Sequence, residues 1–193
     1  MNPNAATLRL ALFPRTDVVT EALLVVAGAA LVALAAQVRI PMEPVPITAQ
    51  TFAVLLVGAS YGAARGTASL SLYLVAGLLG APVYTGQNAG WEYFTGATGG
   101  YILGFVVAAA LTGYLAEQRW DRRVSSAIAA MFLGSVAVYA IGLPWLAGVL
   151  DLDFETTLKE GLAVFVPGDL LKLFAAAALL PSAWRFVDRF RGR

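Results

Sequence analysis

The residues with most to offer chemically lie together near the C-terminus, in Val166-Pro167-Gly168-Asp169-Leu170-Leu171-Lys172. Pro167 suits the start of a helix, where its missing N–H costs nothing, and the helix dipole there favours the Asp169 carboxylate. Lys172 follows three residues later, on the same helix face and about one turn deeper. Both fall inside an apolar stretch, where an ionisable group costs roughly 2.5–3.5 kcal/mol on insertion scales and is expected to face a cavity or a partner. Two roles are open to the pair: an ion pair that closes a bundle, or an acceptor and a donor offered to a polar solute.

Two further segments gather polar side chains. Pro41-Met42-Glu43-Pro44-Val45-Pro46 carries three prolines, which stiffen it into an extended form. Pro46 is expected to open the next helix, placing Thr48, Gln50 and Thr51 in its first turns, where they can serve local backbone or a ligand. The stretch from Gly80 to Gly96 holds Tyr84, Asn88 and Trp91 among many glycines. It reads either as an interfacial aromatic belt or as a backbone that folds inward over a ligand. It leads into Thr98-Gly99-Gly100-Tyr101. The proline-rich segment is expected to act as a lid over this polar cluster.

Much other chemistry is excluded. The chain has no Cys and no His, so thiolate or imidazole metal sites, disulfides, thiol nucleophiles and Ser-His-Asp triads have no raw material. No cofactor or metal is expected. The phosphate-cradling G-x-x-x-x-G-K-[ST] pattern does not occur, and no second span carries an aspartate to complete a proton-sharing dyad. A net charge of +1 leaves no footprint for nucleic acid. The chain is not expected to be an enzyme.

Something must position these residues. Hydrophobic residues make up 59% of the 193, charged residues only 13%, and the mean hydropathy is +0.74. A soluble domain of this size lacks the interior to hide so much apolar surface. Apolar stretches fall at about 18–37, 46–61, 66–80, 100–116, 124–149 and 167–186, each near the roughly 20 residues that cross a bilayer. The expectation is an all-α integral membrane protein: six transmembrane helices in one domain spanning 1–193. The second and third stretches are short and must tilt or be shielded by neighbours. The first is longer than a secretory signal core and follows Asp17 and Glu21, so it is expected to stay in place.

Charge sets the orientation. With both termini inside, ten basic residues fall on the inner side: Arg9, Arg15, Arg65, Arg119, Arg122, Arg123, Arg185, Arg189, Arg191 and Arg193. Arg39 and Lys159 fall outside. The positive-inside rule therefore expects an N-in/C-in, multi-pass protein of the cell membrane. Small residues recur at four-residue spacing, as in Gly58, Gly62, Gly66 and Gly96, Gly100, Gly104, which suits close helix packing, although Gly62 and Gly66 equally suit a turn. In the first span Ala29-x-x-x-Ala33 forms a smooth strip, suited to internal packing or to docking another membrane protein.

Four motifs in order now bear a resemblance. They are Pro44-Val45-Pro46-Ile47-Thr48-Ala49-Gln50-Thr51, then Tyr73-Leu74-x-x-Gly77-x-x-Gly80-x-Pro82-Val83, then Thr98-Gly99-Gly100-Tyr101-x-x-Gly104-Phe105, and Pro167-Gly168-Asp169-x-x-Lys172. With them the chain resembles the BioY family, the biotin-specific substrate-capture (S) components of energy-coupling factor (ECF) transporters. The resemblance implies a six-helix bundle that binds biotin near the outer surface beneath the first outer loop. It implies partners too: a transmembrane coupling (T) subunit, met through Ala29 and Ala33, and a pair of cytoplasmic ATPases. The chain departs from the family's usual Gly-Pro-Thr-Gly-Gly-Tyr in having Ala97 in place of the proline.

Biotin offers ureido N–H donors, a carbonyl, an apolar ring and a carboxylate tail. Asp169 can accept from ureido N–H groups, while Lys172, Gln50 or Asn88 can donate to the carbonyl or carboxylate. Thr48 adds a hydroxyl, and Tyr101, Trp91 and Tyr84 are available as walls. Two other readings compete: another vitamin on the same fold, or a membrane scaffold without a ligand.

Overall fold

The structure, a computed structural model, describes residues 7–12 and 17–191. Each of the six apolar stretches forms a helix: α1 (Val18–Gln37), α2 (Gln50–Tyr61), α3 (Ala63–Leu78), α4 (Gly99–Glu117), α5 (Val124–Leu150) and α6 (Val166–Arg191). Four of them, α1, α4, α5 and α6, are long and apolar enough to cross a membrane, as in a multi-pass membrane protein. The other two have 12 and 16 residues. Of the basic residues expected on the inner side, Arg15 and Arg193 lie outside the described residues.

Helix α4 is the centre of the bundle. It packs against α5, α2 and α3, and 67% of its apolar stretch is buried, against 17% for α1. Glycines permit this crowding. A Cβ at Gly104 would stand 2.9 Å from the Val138 backbone, and one at Gly58 would stand 2.6 Å from the Ala109 carbonyl. The spaced glycines of α4 are therefore packing positions inside the chain. Gly62 is instead a turn residue: its φ of 87° lies in the left-handed region, where it links α2 to α3. Glu117 of α4 then accepts from the Ala63 N–H at 2.9 Å, capping α3 at the end where its dipole is positive.

The chain alternates between two ends of the bundle. One carries residues 39–48, 80–98 and 151–163, and is called here the loop end. The other carries Gly62 and the Trp120–Arg122 turn, and is called the turn end. At the turn end Glu21 of α1 gathers Arg9 and Arg65, the latter through an Nη2–Oε1 contact of 3.2 Å.

The second helix begins later than expected. Pro46 does not open it. Ile47–Thr48 pairs antiparallel with Arg39–Ile40 in a two-residue ladder, and α2 starts at Gln50. The pairing claims Ile47 and Thr48, and a local bond then fixes the new start. Thr48 Oγ1 accepts from the Gln50 N–H at 3.2 Å, so the threonine satisfies a free donor of the first turn from outside the helix. The proline-rich segment is thus the tip of a small hairpin. Val45 is its buried anchor.

Candidate functional site

The acidic and basic residues near the C-terminus meet at the loop end. Asp169 lies in the first turn of α6, and Lys172 reaches back to it with Nζ 2.8 Å from Oδ1. Thr51, from the first turn of α2, donates to the same oxygen at 3.2 Å and accepts from Lys172 at 3.2 Å. The other carboxylate oxygen accepts from the Tyr139 hydroxyl of α5. Three helices thus converge on one carboxylate. Both charged side chains keep a small open fraction, 12% for Asp169 and 18% for Lys172. That edge faces a cavity of about 50 Å³.

The cavity lies between the hairpin and the helices. Val45, Pro46 and Thr48 close it from above, Asp169, Lys172 and Thr51 line one side, and Tyr101, Phe105, Tyr139 and Phe165 give apolar walls. Its volume suits a few waters, whereas small-molecule pockets commonly run to roughly 300–1,000 Å³. A ring-sized ligand therefore needs a wall to move. A wider groove of about 410 Å³ adjoins the cavity, between Pro41–Pro46 and the segment 85–98. Pro46, Thr85, Tyr93 and Thr98 line both spaces.

Gln50 is almost fully buried, and its amide is committed to the protein. Its Oε1 accepts from Thr48 at 3.1 Å and Thr85 at 3.0 Å, while its Nε2 donates to the Tyr73 hydroxyl at 2.7 Å. One side chain thereby ties the hairpin, α3 and the second loop together. Below Thr85 an aromatic column continues: Tyr84 stacks on Tyr93 at 5.5 Å and meets Tyr73 edge-on at 5.6 Å. Gly77 makes room for it, since a Cβ there would stand 2.2 Å from the Tyr84 ring. The Tyr84 hydroxyl donates to the Leu74 carbonyl at 2.7 Å, and burial pushes its pKa up to about 12.

Tyr101 is fixed from both sides. Its ring meets Tyr139 edge-on at 6.1 Å, and its hydroxyl donates to the Gly161 carbonyl at 2.9 Å. That carbonyl is presented by a π-turn, Lys159–Ala163, just before α6.

Of the residues expected at the site, Thr48, Gln50, Tyr101, Asp169 and Lys172 line the inner cavity. Asn88 does not. It lines the outer groove, where its amide donates to the Thr85 carbonyl at 2.8 Å. Two expected walls are placed elsewhere. Tyr84 is turned away onto Gly77, and Trp91 is 68% exposed on the outward face of the short helix Gly90–Thr95. Tyr139 escaped sequence reasoning, and so did the two-storey arrangement joined by Thr85 and Tyr93. A hydroxyl within a Val/Ala-rich span was the available signal for Tyr139, because a buried tyrosine O–H needs a partner. The strip on α1 is divided: Ala29 is buried in the chain's own core, and Ala33 packs partly against it.

Comparison with known proteins agrees with this architecture. A family model described as the BioY family matches residues 4–189. The biotin transporter BioY of Rhizobium etli is 37% identical over 143 residues, covering 70% of this chain and 76% of that protein. The biotin transporter BioY of Thermotoga maritima is 33% identical over 150 residues, covering 78% and 87%. Among solved structures, the crystal structure of the S-component for biotin from an ECF-type ABC transporter superposes with a TM-score of 0.73 at 27% identity, covering 91% of this chain and 92% of that one. With residues 4–189 matched by the family model and the fold matched by a solved structure, the chain belongs to the BioY family.

Proposed function

We propose that this chain is the biotin-capturing S component of an ECF-type uptake transporter. The observation that carries the reading is the Asp169–Lys172 pair, bridged by Thr51 and held by Tyr139, at the edge of an aromatic-walled cavity under a proline-rich hairpin. A ureido ring needs an acceptor, a donor and apolar contact, and Asp169, Lys172 and the aromatic walls are groups of those kinds. Asp169, Lys172 and Thr48 are assigned to direct polar contact and Tyr101 to the wall. Gln50 is assigned to holding the site's roof and Asn88 to the outer groove. The names of the similar proteins support biotin as the ligand.

In this reading all six helices span the cell membrane as a single domain, with both termini inside and the loop end outside. The basic residues at the turn end support that orientation by the positive-inside rule. The chain hydrolyses no ATP of its own and works with a transmembrane coupling subunit and a cytoplasmic ATPase pair. Helix α1, the least covered of the four longest helices, is assigned to the coupling subunit, with Ala33 at its edge and Ala29 behind it. Mass spectrometry of small molecules extracted from the gently purified protein tests the assignment. Biotin in about equimolar amount is expected. A different vitamin, or no small molecule together with no measurable biotin affinity, overturns it.

A further inference from the structure

We propose that the cleft between the α4–α5 turn and the end of α6 binds the phosphodiester headgroup of an anionic membrane lipid. The cleft has a volume of about 520 Å³, and Arg119, Arg122, Arg123 and Arg185 line it together with Ser125 and Ser126. Arg119, Arg123 and Arg185 are exposed and, among the described residues, have no carboxylate within ion-pair distance. Asp188 also lines the cleft, so the lining holds four cations against one carboxylate.

The floor is a packed cluster of side chains. The Arg122 guanidinium lies over the Trp184 ring, 3.2 Å from its centre, and the Trp184 indole N–H donates to buried Asp121. Asp121 in turn lies 3.8 Å from Arg122 Nε. Arg119 takes a left-handed backbone, with φ of 67°, where the chain reverses out of α4. That reversal brings Arg119 and Arg123 to the same cleft as Arg185 of α6. Guanidinium groups match phosphate oxygens in pairs, and serine hydroxyls add donors of the same kind.

A lipid is favoured over a soluble anion by what borders the cleft. Val124, 47% exposed, follows Arg123 directly, and Phe186, 63% exposed, follows Arg185. The cationic cleft thus passes straight into apolar surface at the end of two long apolar helices, where a headgroup and its acyl chains part company. Basic pockets in that position select anionic lipids, each arginine contributing about fivefold in affinity.

The test uses the full chain in neutral detergent, with lipid binding followed by native mass spectrometry and thermal shift. Phosphatidylglycerol is expected to bind and to raise the melting temperature, and phosphatidylcholine is not. The variant Arg119→Gln/Arg123→Gln/Arg185→Gln is expected to lose roughly a hundredfold in phosphatidylglycerol affinity, with biotin affinity kept. The corresponding triple arginine-to-lysine variant keeps the charge and is expected to stay within about tenfold of the parent. Equal binding of the two lipids, displacement of lipid by equimolar inorganic phosphate, or equal losses in the Gln and Lys variants would each overturn the proposal.

Discussion

Asp169 and Lys172, one helical turn apart on α6, pair at 2.8 Å, and each also meets the Thr51 hydroxyl of α2 at 3.2 Å. The site is therefore a closed circuit of donors and acceptors, and a ligand must exchange partners within it rather than fill an open pair. In the proposed function, Asp169→Asn and Lys172→Ala each weaken biotin binding by roughly ten- to hundredfold, the worth of one hydrogen bond to a charged group. Because the two share partners, the double variant loses less than the sum. Equilibrium binding to purified protein reads both effects, and single variants that bind like the parent refute the assignment.

Gln50 is expected to act on the rate of release. Its amide serves Thr48, Thr85 and Tyr73, so Gln50→Leu leaves three hydroxyls short of a partner, at about 1–3 kcal/mol. Of these, the Thr85 and Tyr73 hydroxyls are buried and that of Thr48 is half-buried, and the cost falls on the contacts that hold the hairpin and the second loop against α3. Biotin should dissociate about tenfold faster or more, with association little changed. Replacing Pro41, Pro44 and Pro46 by Gly should act in the same direction, since a stiff segment loses less entropy on closing. Stopped-flow release measures both. An off-rate unchanged in both variants would make the hairpin a mere connector.

In the proposed function, helix α1 should separate folding from assembly. Ala29 is 9% exposed and packed in the core, so Ala29→Trp overpacks the bundle and should lower its melting temperature, by about 1–3 kcal/mol of stability. Ala33 lies at the edge of the same face. Ala33→Trp should leave biotin affinity intact and reduce co-purification with the coupling subunit. Pull-down and biotin binding on the same preparation distinguish the two outcomes.

Asp121 predicts a pH dependence at the turn end. Burial pushes its pKa up to about 6 from an ordinary 3.8, opposed by the Trp184 hydrogen bond and by Arg122. Between those values the folded state holds more protons than the unfolded one, so stability falls as pH rises through that window. The loss is about 3 kcal/mol at most. Asp121→Asn removes it. The melting temperature of the parent relative to this variant should therefore be higher at pH 4 than at pH 7. A constant difference across that range would contradict the buried-carboxylate account.

Sequence alone determined the helices and their polar exceptions. A helix that must satisfy its own backbone in lipid needs a continuous apolar run, and such runs are visible without any fold. The charged pair of α6 stood out for the same reason: ionisable groups inside an apolar span are costly and so are informative. The spacing of Asp169 and Lys172 follows from helix geometry and needed no tertiary structure.

Tertiary structure decided what those residues face. Tyr139 and Thr51 reach Asp169 from helices 30 and 118 residues away in the chain, and no local pattern encodes such a meeting. The start of α2 shifted from Pro46 to Gln50 because pairing with Arg39–Ile40 claimed Ile47 and Thr48, a competition that helix propensity does not record. Gln50 proved to be a roof tie because Tyr73 and Thr85 happen to surround it. Ala29 and Ala33 parted because only packing fixes which side of a uniformly apolar helix turns inward. Where every face of a helix is apolar, periodicity carries no direction, and the neighbouring helices alone supply it.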